Sequence, residues 1–473
     1  MIEKKSKIVA TLGPASSSKE VIKKMIQRGT DVCRINFSHG SHKDHEQTIQ
    51  NIRQADKELG TFTAILADLQ GPKLRVGEFE GEGVQLKKGD EVVFTTTDEK
   101  AKDKLYITYP EFARDVKKGE RILLDDGKLI LAVQSTNGKN EVVAKVEYGG
   151  LLKSNKGVNL PKTVISLPCL TEKDLKDLDF ALEMDVDWVG LSFVRSARDI
   201  IELKHIIRKK EKHARVIAKI EKPEAVKDIN DIVKETDGIM VARGDLGVEI
   251  PLQSVPLVQK MIINKALENA KPVIVATQMM ESMITSYTPT RAEVNDVANA
   301  VLDGADAVML SAETSVGEHP VRVIEVMANI VKEVETSDEI YHHEEVPAES
   351  KEDRYITDSV CFNATRLSKR VGAKAIITMT FSGYTAFKIS SQRPEADILV
   401  FTGNKSILTQ MSLVWGVKAF YYDKMVSTDH TIADIKYILK KQKHVHEGDL
   451  VIHLASMPIA EAGMTNMLKL DKV

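Results

Sequence analysis

The sequence predicts an α/β protein: a (β/α)8 barrel, a small β-barrel lid inserted into it, and a further α/β domain on the C-terminal side. Three observations predict this. Short apolar runs alternate with longer amphipathic stretches over residues 7–71 and again over about 171–340, the pattern of strand–helix units around a parallel sheet. Between those blocks the texture changes to β-branched residues punctuated by Gly77, Gly89, Gly119, Gly127 and Gly138, as in a separate unit of hairpins. From residue 355 the strand–helix alternation resumes.

Taken in order, the apolar runs place eight barrel strands at 7–13, 31–39, 62–71, 188–195, 216–222, 238–246, 272–280 and 307–314. Near-continuously apolar runs of this number favour a closed barrel, which gathers its site at the C-terminal ends of the strands. The barrel domain takes residues 1–71 and 169–340, and the lid 72–168, entering and leaving at that same end. A lid so placed can close over a substrate. Residues 341–354 read as a polar linker, and 355–473 as the C-terminal domain, with strands at 375–381, 397–402, 417–422 and 449–455.

Composition narrows the function. No apolar run reaches the roughly 18 residues of a membrane span, and the apolar stretch near the start stops at Gly13-Pro14. The chain therefore reads as cytoplasmic, without a signal peptide. Cys33, Cys169 and Cys361 lie far apart with no Cys-x-x-Cys pair, which argues against a zinc site or a disulfide framework. A formal charge of −3 argues against nucleic acid as a partner, so an anionic ligand has to be held by local basic groups. The Gly-x-x-x-x-Gly-Lys-Ser/Thr and Gly-x-Gly-x-x-Gly loops are absent, and a nucleotide would be held in another way.

The strand ends carry charges for which a core has no use. Side chains alternate faces along a strand, so Lys219 and Glu221 project together, as do Arg243 and Asp245, and as do Arg34, Asn36 and Ser38. Glu221 and Asp245 end successive strands, and two converging carboxylates with room for substrate oxygens suit Mg2+ or Mn2+. Lys219 beside such an ion is placed to neutralise charge on a transferring phosphoryl group or on an enolate. Taken alone, Lys219 with Glu221 also fits a structural ion pair. Arg34 and Arg75 offer planar donors suited to phosphate. At Arg243-Gly244-Asp245 a strand runs into a helix start, whose free N–H groups suit a carboxylate or phosphate. These residues describe a divalent-metal barrel enzyme for a small anion bearing phosphate and carboxylate, without naming the reaction.

Five strings in order resemble one family: Lys-Ile-Val-Ala-Thr-Leu-Gly-Pro-Ala-Ser near the start, Arg34-Ile-Asn36-Phe-Ser38-His39-Gly, Ala-Lys219-Ile-Glu221, Met-Val-Ala-Arg243-Gly244-Asp245-Leu-Gly-Val-Glu, and Ala276-Thr277-Gln-Met-Met-Glu-Ser-Met. The chain resembles the pyruvate kinases over essentially its whole length. The resemblance implies phosphoryl transfer from phosphoenolpyruvate to ADP, giving pyruvate and ATP, with Mg2+ (or Mn2+) on Glu221 and Asp245. It implies that Lys219 stabilises the phosphoryl in flight and the enolate, that Arg34 grips phosphate, and that Thr277 helps position the proton delivered to the enolpyruvate carbon. Ser192, Arg243, Gly244 and Asp245 join Arg34, Lys219 and Thr277 around the substrate. Asn36, His39, Arg75 and Lys156 fall to the nucleotide, Arg75 also among the catalytic groups, with Asp126 in a matching lid turn. A homotetramer is implied as well.

Asn36, Ser38 and Asp68 match the K+ site of many members, but the following string, Leu69-Gln70-Gly71-Pro72-Lys73, replaces threonine, lysine and, at Lys73, glutamate. The chain resembles the K+-independent subgroup, with the Lys73 ammonium carrying the charge K+ would supply. At about 5 Å and an effective dielectric near 20 that charge is worth roughly 3 kcal/mol, on the order of a hundredfold in rate. In the C-terminal domain Thr380, Ser382, Gly383 and Thr385 resemble a turn that holds the phosphate of an effector. Phe381 and Tyr384 stand where several members have basic residues, so a sugar monophosphate or nucleotide effector, or none, is expected. A catalytically silent, phosphosugar-binding relative is the alternative; its mark would be loss of Lys219, Glu221, Asp245 or Thr277, and all are present.

Overall fold

The computed structural model describes residues 3–79, 81–97, 103–341, 354–424, 427–457 and 464–473. Eight strands close into a parallel barrel in chain order, the eighth pairing with the first: Lys7–Thr11, Val32–Asn36, Ala64–Asp68, Trp188–Leu191, Arg215–Ile220, Gly238–Ala242, Val273–Ala276 and Ala307–Leu310. They are buried because one face fills the barrel and the other meets the surrounding helices. Several of those helices start where the sequence supplies reciprocal caps, Ser41 with Asp44, Thr171 with Asp174 and Thr290 with Glu293.

Every barrel strand stops two to four residues short of the end its apolar pattern suggests. The cause is visible after the fourth and seventh strands, where Phe193, Thr277 and Gln278 take φ of 55°, 70° and 56°. That left-handed backbone ends a ladder while the sequence stays apolar. The sixth strand departs further from the sequence pattern. Arg243 and Asp245 do not share a strand face, because the strand ends at Ala242 and Arg243–Glu249 is a helix, in which residues two apart point to different sides.

The inserted segment forms a six-stranded sheet and a two-stranded one, Val84–Leu86 with Gly150–Leu152. Among the described residues their hydrogen bonding does not close into a single barrel. The C-terminal sheet has five strands: Val417–Tyr421, Asp397–Thr402, Ala375–Met379 and Leu450–Ala455 run parallel, and Met467–Lys472 pairs antiparallel at the edge. That edge strand is not expected from the sequence, where lysines and an aspartate mask its pattern, as suits an edge. The expected linker, apart from Tyr341 and Arg354, lies outside the described residues.

One apolar cluster runs from the barrel into the near face of the C-terminal sheet through Ile376, Ile398 and Trp415. The inserted unit has its own core around Phe94, Phe112 and Leu131, and Ile377, Leu399 and Ile435 belong to a third on the far face of the C-terminal sheet. At the seam between barrel and C-terminal domain, buried Arg393 pairs with Asp306 at 3.0 Å and donates to the Gly304 carbonyl at 2.7 Å. No helix among the described residues is long and apolar enough to cross a membrane.

Candidate active site

Strands two and three set Asn36 opposite Asp68, and Arg34, one pleat back, donates through Nε to Asp68 Oδ2 at 2.6 Å and through Nη1 to Thr11 Oγ1 at 2.9 Å. Lys219, on strand five, lies 3.1 Å from Asp68 Oδ1 and 3.0 Å from Glu221 Oε1. It also donates to Ser192 Oγ at 2.6 Å, and that hydroxyl donates to the Leu69 carbonyl at 2.7 Å. Glu221 Oε2 accepts from the Phe193 N–H at 2.8 Å. One buried network thus joins Arg34, Asp68, Lys219, Glu221 and Ser192 from four strands and their ends.

Its electrostatics are uneven. Burial alone would raise the Asp68 pKa, but Lys219 and Arg34 outweigh it and hold the carboxyl below its ordinary value. Burial would lower the Lys219 pKa, yet Asp68 and Glu221 reverse this and keep the side chain an ammonium. Glu221 shifts upward, through burial first and through Asp245, against the pull of Lys219. A buried carboxylate raised by a neighbouring carboxylate is short of positive charge, as a divalent-cation ligand is before its ion binds. Among the described residues no group of three or more Asp, Glu, His or Cys side chains gathers to hold a metal. Glu221 and Asp245 as a two-carboxylate set leave positions for substrate oxygens and water, which fits Mg2+ or Mn2+.

At the seventh strand Thr277 Oγ1 accepts from the Gly244 N–H at 2.8 Å and donates to the Ala276 carbonyl at 2.6 Å. A Cβ on Gly244 would lie 3.3 Å from that hydroxyl, so the close approach favours glycine. Arg243 holds Asp296 through both terminal nitrogens at 2.6 and 2.7 Å and the Thr277 carbonyl at 2.6 Å. It fixes the left-handed Thr277 turn, a conformation that persists only where surroundings enforce it.

The remaining predicted residues are less convergent. Asn36 Oδ1 accepts from the Ser38 N–H at 3.1 Å, and His39 is exposed in the same turn. Lys73 is exposed, pairs with no carboxylate among the described residues, and lines a small cavity with Asp126, Arg195, Lys222 and Asp245. Arg75 donates to the Asn155 carbonyl at 2.8 Å, and Lys156 pairs with Asp125 at 2.8 Å, both within the inserted unit. In the C-terminal turn, Thr380 Oγ1 accepts from the Gly383 N–H at 3.0 Å, Thr385 bonds Thr465 at 2.9 Å, and both threonines are buried.

Sequence reading missed one node. Glu249 Oε1, at the end of the Arg243–Glu249 helix, accepts from Lys222 at 2.7 Å and from Asn159 of the inserted unit at 2.8 Å. The signal was present, since Lys222 puts a further charge beside Glu221 in an apolar run, but its partner is remote in sequence.

Known proteins resemble this chain along nearly its whole length. The pyruvate kinase barrel-domain model matches residues 3–324, and the pyruvate kinase alpha/beta-domain model residues 358–470. A pyruvate kinase of Corynebacterium efficiens is 45% identical across 99% of this chain and 97% of its own. One of Mycobacterium tuberculosis is 41% identical across 99% and 98%. The crystal structure of a pyruvate kinase from Cryptosporidium parvum superposes with a TM-score of 0.92 at 34% identity, covering 99% of this chain and 96% of that one.

Proposed function

The chain belongs to the pyruvate kinase family, and on that premise we propose how its own residues move the phosphoryl group of phosphoenolpyruvate to ADP, leaving pyruvate and ATP. The observation that carries the reading is the buried network of Arg34, Asp68, Lys219 and Glu221 with Asp245 beside it. Lys219, held as an ammonium, has no proton to yield near neutral pH, so its part is electrostatic: it balances charge on the phosphoryl group in flight and on the enolate oxygen. Asp68 orients both cations, and Arg34 turns its guanidinium to the phosphate. The Thr277 hydroxyl, held between the Gly244 N–H and the Ala276 carbonyl, positions the proton for the enolpyruvate carbon. Glu221 and Asp245 are the residues that would hold Mg2+, which supplies Lewis-acid neutralisation of substrate oxygens.

Residues 72–168 act as the lid, bringing Arg75 and Lys156 to the nucleotide phosphates, while Asn36 and His39 meet it from the barrel. Lys73 takes the role of K+ beside Asn36, Ser38, Asp68 and Leu69, and its exposure on the cavity shared with Asp245 supports a charge available to ligands. The same reading includes a cytoplasmic homotetramer and a phosphorylated effector on the C-terminal domain at Thr380, Ser382, Gly383 and Thr385.

Two variants test it. Glu221→Gln should abolish tight Mn2+ binding in a spin-relaxation titration; unchanged affinity removes Glu221 from the ligand set. Wild-type ATP formation should be equal in tetramethylammonium and K+ buffers, and Lys73→Glu should become K+-dependent. A Lys73→Glu enzyme indifferent to K+ refutes the substitution of one cation for the other.

A further inference from the structure

The helix Arg243–Glu249 carries Asp245 in its first turn and Glu249 at its end, and the inserted unit meets it at two points. Asn159, which ends the strand Val158–Asn159, donates through Nδ2 to Glu249 Oε1 at 2.8 Å. The turn at 125–128 reaches the neighbouring residue, since a Cβ on Gly127 would lie 3.7 Å from Val248 Cγ1. Both contacts come from the part of the inserted unit that carries Arg75 and Lys156. Lys156 pairs with Asp125 of that turn at 2.8 Å, Gly157 forms a β-bridge with Arg75, and the Val158 N–H donates to the Leu74 carbonyl at 3.0 Å.

The Glu249 oxygen is shared. It also accepts from Lys222 at 2.7 Å, and Lys222 directly follows Glu221 in the chain. One buried carboxylate oxygen therefore joins three segments: the one that carries Glu221, the helix that carries Asp245, and the strand that leads back to Lys156. Glu249 Oε2 is buried with no hydrogen-bond partner among the described residues. An unpaired buried acceptor costs stability, and what the carboxylate gains in return is its place between those segments. Asn159, Lys222 and Asp245 border one small cavity between the barrel and the inserted unit, so the junction lies at the edge of the site.

We propose that Glu249 is a positioning residue for the reaction and Asn159 its partner on the lid, their bond setting how far Arg75 and Lys156 stand from Glu221 and Asp245. A nucleotide gripped by the lid has to present its terminal phosphate to the substrate on the barrel, and a misplacement of about 1 Å is costly in rate. Glu249 and Asn159 act through the segments they hold and touch no reacting atom. Lys222 completes the device by tying the same oxygen to the residue after Glu221. The positioning role deepens the kinase reading and rests on it; the Asn159–Glu249 bond does not.

The test uses the full-length protein. Asn159→Ala removes the donor and leaves the Lys222–Glu249 pair in place. It should raise the KM for ADP roughly tenfold, the weight of one hydrogen bond to a charged acceptor, with the KM for phosphoenolpyruvate and the thermal midpoint close to wild type. Asn159→Asp sets a second carboxylate against Glu249 and should raise the KM for ADP further. Combining Asn159→Asp with Glu249→Gln exchanges donor and acceptor while conserving the charge beside Lys222, and should recover most of the loss. Amide hydrogen exchange of the protein without metal or substrate should quicken over residues 156–159 in both single variants and slow again in the double one. Wild-type exchange or an unchanged KM for ADP in Asn159→Ala overturns the proposal, as does an equal rise for both substrates or a double variant no better than Asn159→Asp alone. The expected exchange pattern in a protein that forms no ATP upholds the Asn159–Glu249 bond and counts against the kinase reading alone.

Discussion

Removing either partner of the Lys222–Glu249 pair should destabilise the protein far more than removing both. The two charges lie 2.7 Å apart, and the residues are 6% and 5% exposed. At that separation and an effective dielectric near 20 their attraction is about 6 kcal/mol, of which desolvation offsets a large part. Lys222→Met or Glu249→Leu alone strands one buried charge, at a cost of about 3–5 kcal/mol. The double variant should return to within about 1–2 kcal/mol of wild type, since nothing charged is left unpaired. Glu249→Leu also removes the acceptor of Asn159, so hydrogen exchange should quicken around residue 159. Glu249 Oε2 is buried with no hydrogen-bond partner among the described residues, which suits a residue kept for position more than for stability. The assay is thermal unfolding of the four proteins as a double-mutant cycle. A coupling energy below about 1 kcal/mol would refute the argument.

Two further outcomes follow from buried ionisable groups. His453 is fully buried, neither ring nitrogen has a partner among the described residues, and burial lowers its pKa to about 4. The unfolded chain, with an ordinary histidine pKa near 6.5, binds the proton first, so this stability is complete above about pH 6.5 and is lost as pH falls toward 4, by about 3 kcal/mol. His453→Leu should flatten that part of the urea-midpoint profile, and equal slopes for both proteins would count against it. Arg393→Met should cost about 3–5 kcal/mol by stranding Asp306, which also accepts from the Val273 and Trp415 N–H groups. A thermal midpoint equal to wild type would mean the seam is not pinned there.

The barrel was legible because its signal is repeated. Apolar runs buried on both faces recur eight times, and each helix between them carries its own periodicity and, in several cases, its cap. Strand ends were not legible, since Phe193 and Thr277 turn the chain through positive φ without any glycine to announce it. Their surroundings enforce those turns: Arg243 grips the Thr277 carbonyl from another strand's end. The edge strand Met467–Lys472 was hidden for the opposite reason, because one covered side imposes too little pattern on its side chains. In the site, charges in apolar runs singled out Lys219, Glu221 and Arg34, which the structure joins in one buried network. Their partners were not readable, since Asp68 lies 34 residues from Arg34 and nothing local couples them.

The charge balance links metal and lid more tightly than either motif does alone. Two cations, Arg34 and Lys219, face three carboxylates, Asp68, Glu221 and Asp245, so the side chains present net negative charge to a substrate that is itself an anion. On the proposed reading, a divalent cation held by Glu221 and Asp245 would reverse that sign, and metal binding would then be a condition for substrate binding as well as for chemistry. Lys73 adds a positive charge on the cavity it shares with Asp245, and it arrives only from the lid side. Lys73→Glu therefore changes the local balance by two charges, and on the proposed reading a K+ taken up in its place would return one of them. The variant in K+ should recover part of its rate and stop short of the wild type.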